Sequence, residues 1–131
     1  MLSLMNGRSE IKVVDDQRGS PTWAPDLARA VMTLIGEVES GKNVPFGIYH
    51  YTNEGDCSWY KFAEEIYARG RELGRISNEC AVKPCGSEEF PSKVKRPRYS
   101  VLDKTKIKAA LGIKIPAWDT SLKEYIKSCA V

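Results

Sequence analysis

The stretch VVDDQRGSPTWAPDLARAV, residues Val13–Val31, runs from an apolar segment through a polar turn into an amphipathic helix. Val13 and Val14 are β-branched, close an apolar run begun at Ile11, and read as the end of a short strand. Asp15, Asp16, Gln17, Arg18, Gly19, Ser20 and Pro21 supply charge, an amide and backbone freedom where the chain must turn. Pro25 falls in the first turn of a helix expected over Pro25–Ser40, where its missing N–H has no intrahelical partner to lose. Leu27, Val31, Leu34 or Ile35, and Val38 recur at helical spacing and predict that helix's buried stripe. A strand leading through a polar loop into a helix is how α/β proteins place binding groups at a sheet edge, and the same shape also serves as a plain connecting turn. The expected fold class is α/β.

Working outward, Gly41 supplies the helix stop, and Gly47–Thr52 (GIYHYT) reads as a strand whose two faces both carry apolar or aromatic groups, as in a strand covered on both sides. His50, between two tyrosines, is expected to be a packed, hydrogen-bonded structural residue rather than a proton carrier. Ser58 is an N-cap for a helix on which Trp59, Phe62, Ala63, Ile66 and Tyr67 form the clearest helical stripe in the chain. Cys80–Cys85 reads as a short strand and Ser87–Tyr99 as a long irregular loop holding Pro91 and Pro97. Asp103 is expected to cap a short helix carrying Ile107 and Leu111 and stopped by Gly112. Trp118, Leu122, Tyr125 and Ile126 mark a last helix. Leu2, Leu4 and Met5 read as the frayed end of an upstream helix. The expectation is a single domain over residues 1–131, with a few short strands and about four helices.

The 131 residues suffice for one real core, and 42% hydrophobic with 28% charged residues is an ordinary globular composition. No apolar run approaches a membrane span, and MLSLMNGRSE turns polar too soon for a signal peptide, so cytoplasm is the expected compartment. Cys57, Cys80, Cys85 and Cys129 form no C-x-x-C pair and there is one histidine, which argues for free buried thiols and against a Cys/His metal site. A net charge of +3 names no partner.

DDQRGSPTWAPDLA resembles a signature of the dTDP-4-dehydrorhamnose reductases, a branch of the extended short-chain dehydrogenase/reductases. GIYHYTNEGDCSWYKFAEEI, KRPRYSVLDKTKI and LGIKIPAWDTSLKEYI resemble the same family in the same order, so the likeness covers nearly the whole chain. It implies the C-terminal, substrate-binding part of an enzyme that reduces dTDP-4-dehydro-6-deoxy-L-mannose to dTDP-L-rhamnose for cell-surface polysaccharide synthesis. Hydride would go to the C4 carbonyl, and a tyrosine upstream of the signature would supply the proton. The family's glycine-rich dinucleotide motif and Tyr-x-x-x-Lys pair are absent from this sequence, since Asp103 stands four residues after Tyr99. NAD(P)H is therefore expected to bind the full-length enzyme and not this chain alone, and the chain is expected to be inactive by itself. The strand at Gly47–Thr52 would belong to the Rossmann sheet.

Lys93, Lys95, Arg96, Arg98, Lys104, Lys106 and Lys108 face a single acid, Asp103. Arginine holds phosphate oxygens bidentately and Pro97 fixes the backbone beside Arg96. By resemblance, Arg96-Pro97 matches the motif whose arginine reaches the diphosphate of a sugar nucleotide, and that role is carried onto Arg96 alone. Lys104, Lys106 and Lys108 read as the solvated face of a short helix. Gln17 and Thr22 can hydrogen-bond a sugar or base edge, and Arg18 can meet a phosphate; equally, the segment is a structural turn with Thr22 capping the helix. No catalytic residue and no metal ligand are assigned. The expected partners are a dTDP-sugar, the missing Rossmann half and a second copy of the chain. One aromatic in the basic run gives nucleic acid little to stack on. A non-catalytic sugar-nucleotide-binding or structural interaction module is the alternative.

Overall fold

A computed structural model describes residues 1–90 and 94–129. The chain order is α1 (Leu2–Gly7), β1 (Glu10–Val14), β2 (Arg18–Gly19), α2 (Ala24–Glu39), β3 (Cys57–Ser58), α3 (Trp59–Glu72), β4 (Ala81–Cys85), α4 (Thr105–Leu111) and α5 (Trp118–Ser128). A 3₁₀ turn, Ser87–Glu89, follows β4. The mixed α/β class holds. The described residues form five α-helices rather than about four, because Leu2–Gly7 is not a frayed end but a helix whose Met5 is wholly buried.

β1 and β4 pair in parallel from Glu10 opposite Ala81 to Val14 opposite Cys85. Parallel neighbours need a long crossover, which here contains α2 and α3. Pro84 cannot donate a ladder hydrogen bond, and a two-stranded sheet leaves its strand a free edge where that costs nothing. β2 and β3 make a second, two-residue antiparallel pair.

α3 begins as its sequence dictates, with the Ser58 hydroxyl accepting from the Lys61 N–H at 3.0 Å. Its inner face, with that of α5, builds the main core: Met5, Ile11, Ala63, Ile66, Ile76, Cys80, Leu122 and Ile126. A smaller core joins Ala30 of α2 to Ile107, Leu111 and Ile115 around α4. α4 ends at Gly112, whose φ of 64° is the left-handed cap conformation glycine adopts without strain. The thiols of Cys57, Cys80, Cys85 and Cys129 are free, and burial pushes the Cys57 thiol up to about 11.

Three expectations fail on packing. The predicted stripe of α2 faces outward: Leu27, Val31, Ile35 and Val38 are between 41% and 56% exposed. Only the flank of that stripe, through Ala30 and the alternative stripe residue Leu34, meets α4. Gly47–Thr52 forms no strand, for among the described residues no other backbone lies alongside it to complete a ladder, and Phe46 and Ile48 stand exposed. His50 is accordingly exposed rather than packed. Tyr49 is held locally: its hydroxyl donates to the Pro45 carbonyl, and the Lys106 ammonium sits 4.3 Å from its ring centroid.

Lys104 is not part of a solvated face. Only 8% exposed, it stands at the start of α4, with its ammonium 3.3 Å from the Asn53 carbonyl and 3.4 Å from Glu54. Lys108 takes the other Glu54 oxygen. The Lys108 hydrogen bond, then the Lys104 charge, holds the Glu54 carboxyl below its usual range. A carboxyl depressed by folding contributes stability above its unfolded range and loses it as the pH falls through the folded value. Glu54→Gln is therefore expected to unfold at lower urea than the parent at pH 7. That gap should close as the pH drops below the ordinary glutamate range, about pH 4.3. A gap independent of pH would contradict the assignment.

No helix among the described residues is long and apolar enough to cross a membrane.

Candidate functional site

β1 leads into Asp15 and Asp16, and their two carboxylates turn to different partners. Asp15 accepts from the Ser58 hydroxyl and so locks the start of α3. Asp16 faces the loop after β4, accepting from the Ser87 hydroxyl at 2.5 Å and its N–H at 3.3 Å. The Ser87 hydroxyl first, and behind it the Ser87 N–H and the charge of Arg98, holds the Asp16 carboxyl below its usual range. Gln17 donates to the same Ser87 oxygen at 2.8 Å, which leaves its carbonyl oxygen to accept from a ligand.

These groups edge an open cleft of about 870 Å³. Val13 and Val14 of β1 give it apolar surface, and Trp59 and Phe90 add aromatic surface. Lys12, Lys95, Arg96 and Arg98 add cationic groups beside the acids Asp16 and Glu88. The cleft therefore combines apolar, hydrogen-bonding and cationic surface, which a ligand with a ring and a phosphate group requires. Pro91, Ser92 and Lys93 of the predicted loop, the last of them also the start of the basic run, lie outside the described residues.

Of the four residues singled out from sequence, the structure brings Gln17 and Arg96 onto this cleft. Arg18 is turned away and committed: Nη2 and Nε lie 2.7 and 2.8 Å from one Asp56 oxygen. Its contribution is through the backbone, since its N–H donates to the Arg98 carbonyl at 2.8 Å and its carbonyl accepts from Ser100 N at 3.0 Å. Thr22 lines a different hollow, an apolar one of about 360 Å³ walled by Trp23, Phe62, Trp118 and Tyr125. Nor does it cap α2, whose N-cap residue is Trp23 and has no side-chain cap. The Thr22 hydroxyl instead donates to Ser20 and accepts from Asn53 N at 3.3 Å. Asp16, Ser87 and Arg98 were not given a role from sequence. The available signal was Arg98 standing two residues from Arg96 in the same basic run.

A parallel strand that binds a pyrophosphate leads into a glycine-rich turn and a helix N-terminus. β1 leads instead into Asp15, Asp16 and Gln17, so the glycine-rich signature of a dinucleotide site does not stand at its end.

A family model described as the RmlD substrate binding domain matches residues 1–131. The spore coat polysaccharide biosynthesis protein SpsK of Bacillus subtilis is 42% identical over 127 residues, covering 97% of this chain and 40% of that protein. A solved dTDP-4-dehydrorhamnose reductase from Clostridium acetobutylicum is 42% identical with a TM-score of 0.81, covering 96% of this chain and 41% of that one. The dTDP-4-dehydrorhamnose reductase of Bacillus anthracis, solved with NADP, is 30% identical with a TM-score of 0.83, covering 98% and 41%. The chain thus spans about two fifths of the length of the relatives it matches. It belongs to the RmlD substrate binding domain family and corresponds to the C-terminal portion of the dTDP-4-dehydrorhamnose reductases.

Proposed function

We propose that this chain is the sugar-nucleotide-binding part of a cytoplasmic dTDP-4-dehydrorhamnose reductase. Such an enzyme reduces dTDP-4-dehydro-6-deoxy-L-mannose to dTDP-L-rhamnose with NAD(P)H. The observation that carries this reading is that Arg96, whose guanidinium has no hydrogen bond or ion pair among the described residues, lines the same cleft as the Gln17 amide. Arg96 takes the diphosphate bidentately, Val13 and Val14 seat the ring beneath, and Gln17 orients it. Arg18 supports this site through its backbone, which carries the arginine arm, and Thr22 lies on the separate apolar hollow. The dinucleotide, the proton donor and the hydride step belong to the part of the relatives that this chain does not span. NAD(P)H oxidation by the purified chain with substrate would overturn that division.

Titration of dTDP-L-rhamnose calorimetrically into the chain and into Arg96→Ala tests the site. A charge-assisted hydrogen bond to phosphate contributes about 1.5–3 kcal/mol, so the substitution should weaken binding about ten- to a hundredfold. Equal binding by both forms would remove Arg96 from the site, and binding by neither would remove the site from this chain.

The outward stripe of α2, with Phe46 and Ile48 beside an unpaired segment, supports a second element of the reading. This face docks on the missing half of the enzyme, and in isolated chains a second copy covers it. Sedimentation of the purified chain should show dimers or larger species, and a strict monomer would count against self-association.

A further inference from the structure

Most guanidinium groups of the chain are committed. Arg18 holds Asp56, Arg29 holds Asp26, Arg69 holds Glu65 and Glu72, and Arg71 and Arg75 donate to backbone carbonyls. Arg96 and Arg98 both line the cleft, and neither guanidinium has a hydrogen bond or ion pair among the described residues, although the Arg98 charge acts on Asp16. Cations gathered in one concave site without a bound carboxylate stand ready for an anion.

Arg98 differs from Arg96 in how its backbone is held. Its carbonyl accepts from Arg18 N at 2.8 Å, and the next residue, Tyr99, forms a parallel bridge with Arg18. Ser100 closes the clamp, its N–H at 3.0 Å and its hydroxyl at 3.1 Å from the Arg18 carbonyl. Gly19 permits that approach, for a Cβ there would stand 3.1 Å from the Ser100 oxygen. β2 is itself tied to β3 and, through the Arg18 side chain, to Asp56. Arg98 therefore projects from a fixed point, and Arg96, two residues away, lines the same cleft. Two long side chains so spaced can converge on adjacent phosphates, whereas one guanidinium fork takes only one.

We infer that Arg98 is a second phosphate-contacting residue of the cleft, clamped in place by Arg18, Gly19 and Ser100, and that the cleft thereby selects a nucleoside diphosphate over a monophosphate. The inference rests on the sugar-nucleotide reading of the cleft and adds to it the residue that counts phosphates.

The test is titration of dTDP and dTMP into the unsubstituted chain, Arg98→Ala, Arg98→Lys and Lys114→Ala. Lys114 is an exposed cation outside the cleft. Arg98→Ala should weaken dTDP about ten- to a hundredfold and dTMP less than about twofold, so that the preference for the diphosphate collapses. Arg98→Lys should restore part of that preference, and Lys114→Ala should leave it intact. The thermal midpoint should not move, since Arg98 is exposed. Equal weakening of both nucleotides, no weakening, or an equal effect of Lys114→Ala would overturn the role of Arg98. Those outcomes leave the site standing if Arg96→Ala still weakens binding of dTDP-L-rhamnose. An unsubstituted chain that binds neither nucleotide would overturn both.

Discussion

Asn53→Ala should destabilise the chain by about 3 kcal/mol, one of the two largest losses available to a single substitution. Asn53 is wholly buried, and every polar atom it has is used. Its side-chain nitrogen lies 2.7 Å from Asp26, 3.1 Å from the Ser121 hydroxyl and 3.1 Å from the Pro116 carbonyl. Its side-chain oxygen accepts from Trp23 N at 2.8 Å. Asp26, also buried, keeps a Ser121 hydrogen bond at 2.5 Å but loses its amide partner, and Trp23 N is left unpaired. The large term is those stranded groups rather than the bonds themselves, because each buried donor or acceptor without a partner costs about 1–3 kcal/mol. The hub also spans the two cores, joining Asp26 on the α2 side to Ser121 beside Leu122 on α5. Urea denaturation followed by tryptophan fluorescence measures the effect. A loss under about 1 kcal/mol would mean that water or a rearranged side chain takes over the partners.

Ile126→Ala should cost a similar amount, about 2–5 kcal/mol, by a different mechanism. Ile126 is wholly buried on α5 within the main core, among partners from α1, β1 and α3. Truncation forfeits its transfer energy and leaves a cavity that those separate elements cannot close together. The internal comparison is Ile35→Ala on the outward stripe of α2. At concentrations where the chain is monomeric, that change should cost under about 1 kcal/mol, since Ile35 is 43% exposed. Equal losses from the two substitutions would show the α2 stripe to be packed in solution.

The site was partly legible. Arg96 stands on the cleft because a motif and a proline mark it, and Gln17 because a polar turn after a strand is where α/β folds present side chains. Arg18 was equally plausible by residue type, yet its guanidinium belongs to Asp56, thirty-eight residues away in sequence. A long-range ion pair leaves no local trace. Arg98 had the same chemistry as its neighbours in the basic run, and only the clamp to Arg18 distinguishes it.

By itself the sequence determined what local forces decide. The helices of α3 and α5, the Ser58 cap, the left-handed stop at Gly112 and the two apolar strands β1 and β4 all follow from side-chain period and backbone preference within a few residues. Tertiary structure decided what needs a second surface. Helical spacing shows that Leu27, Val31 and Val38 share a face, but not whether anything lies against it, and here α4 packs on the neighbouring flank at Ala30 and Leu34. A β-branched, aromatic segment becomes a strand only when another backbone takes up its N–H and C=O groups, and Gly47–Thr52 has none among the described residues. Lys104 reads as solvated until the Asn53–Glu54 turn closes over its ammonium. In each case the deciding term is the free energy of a contact between distant parts of the chain, which no window of neighbouring residues contains.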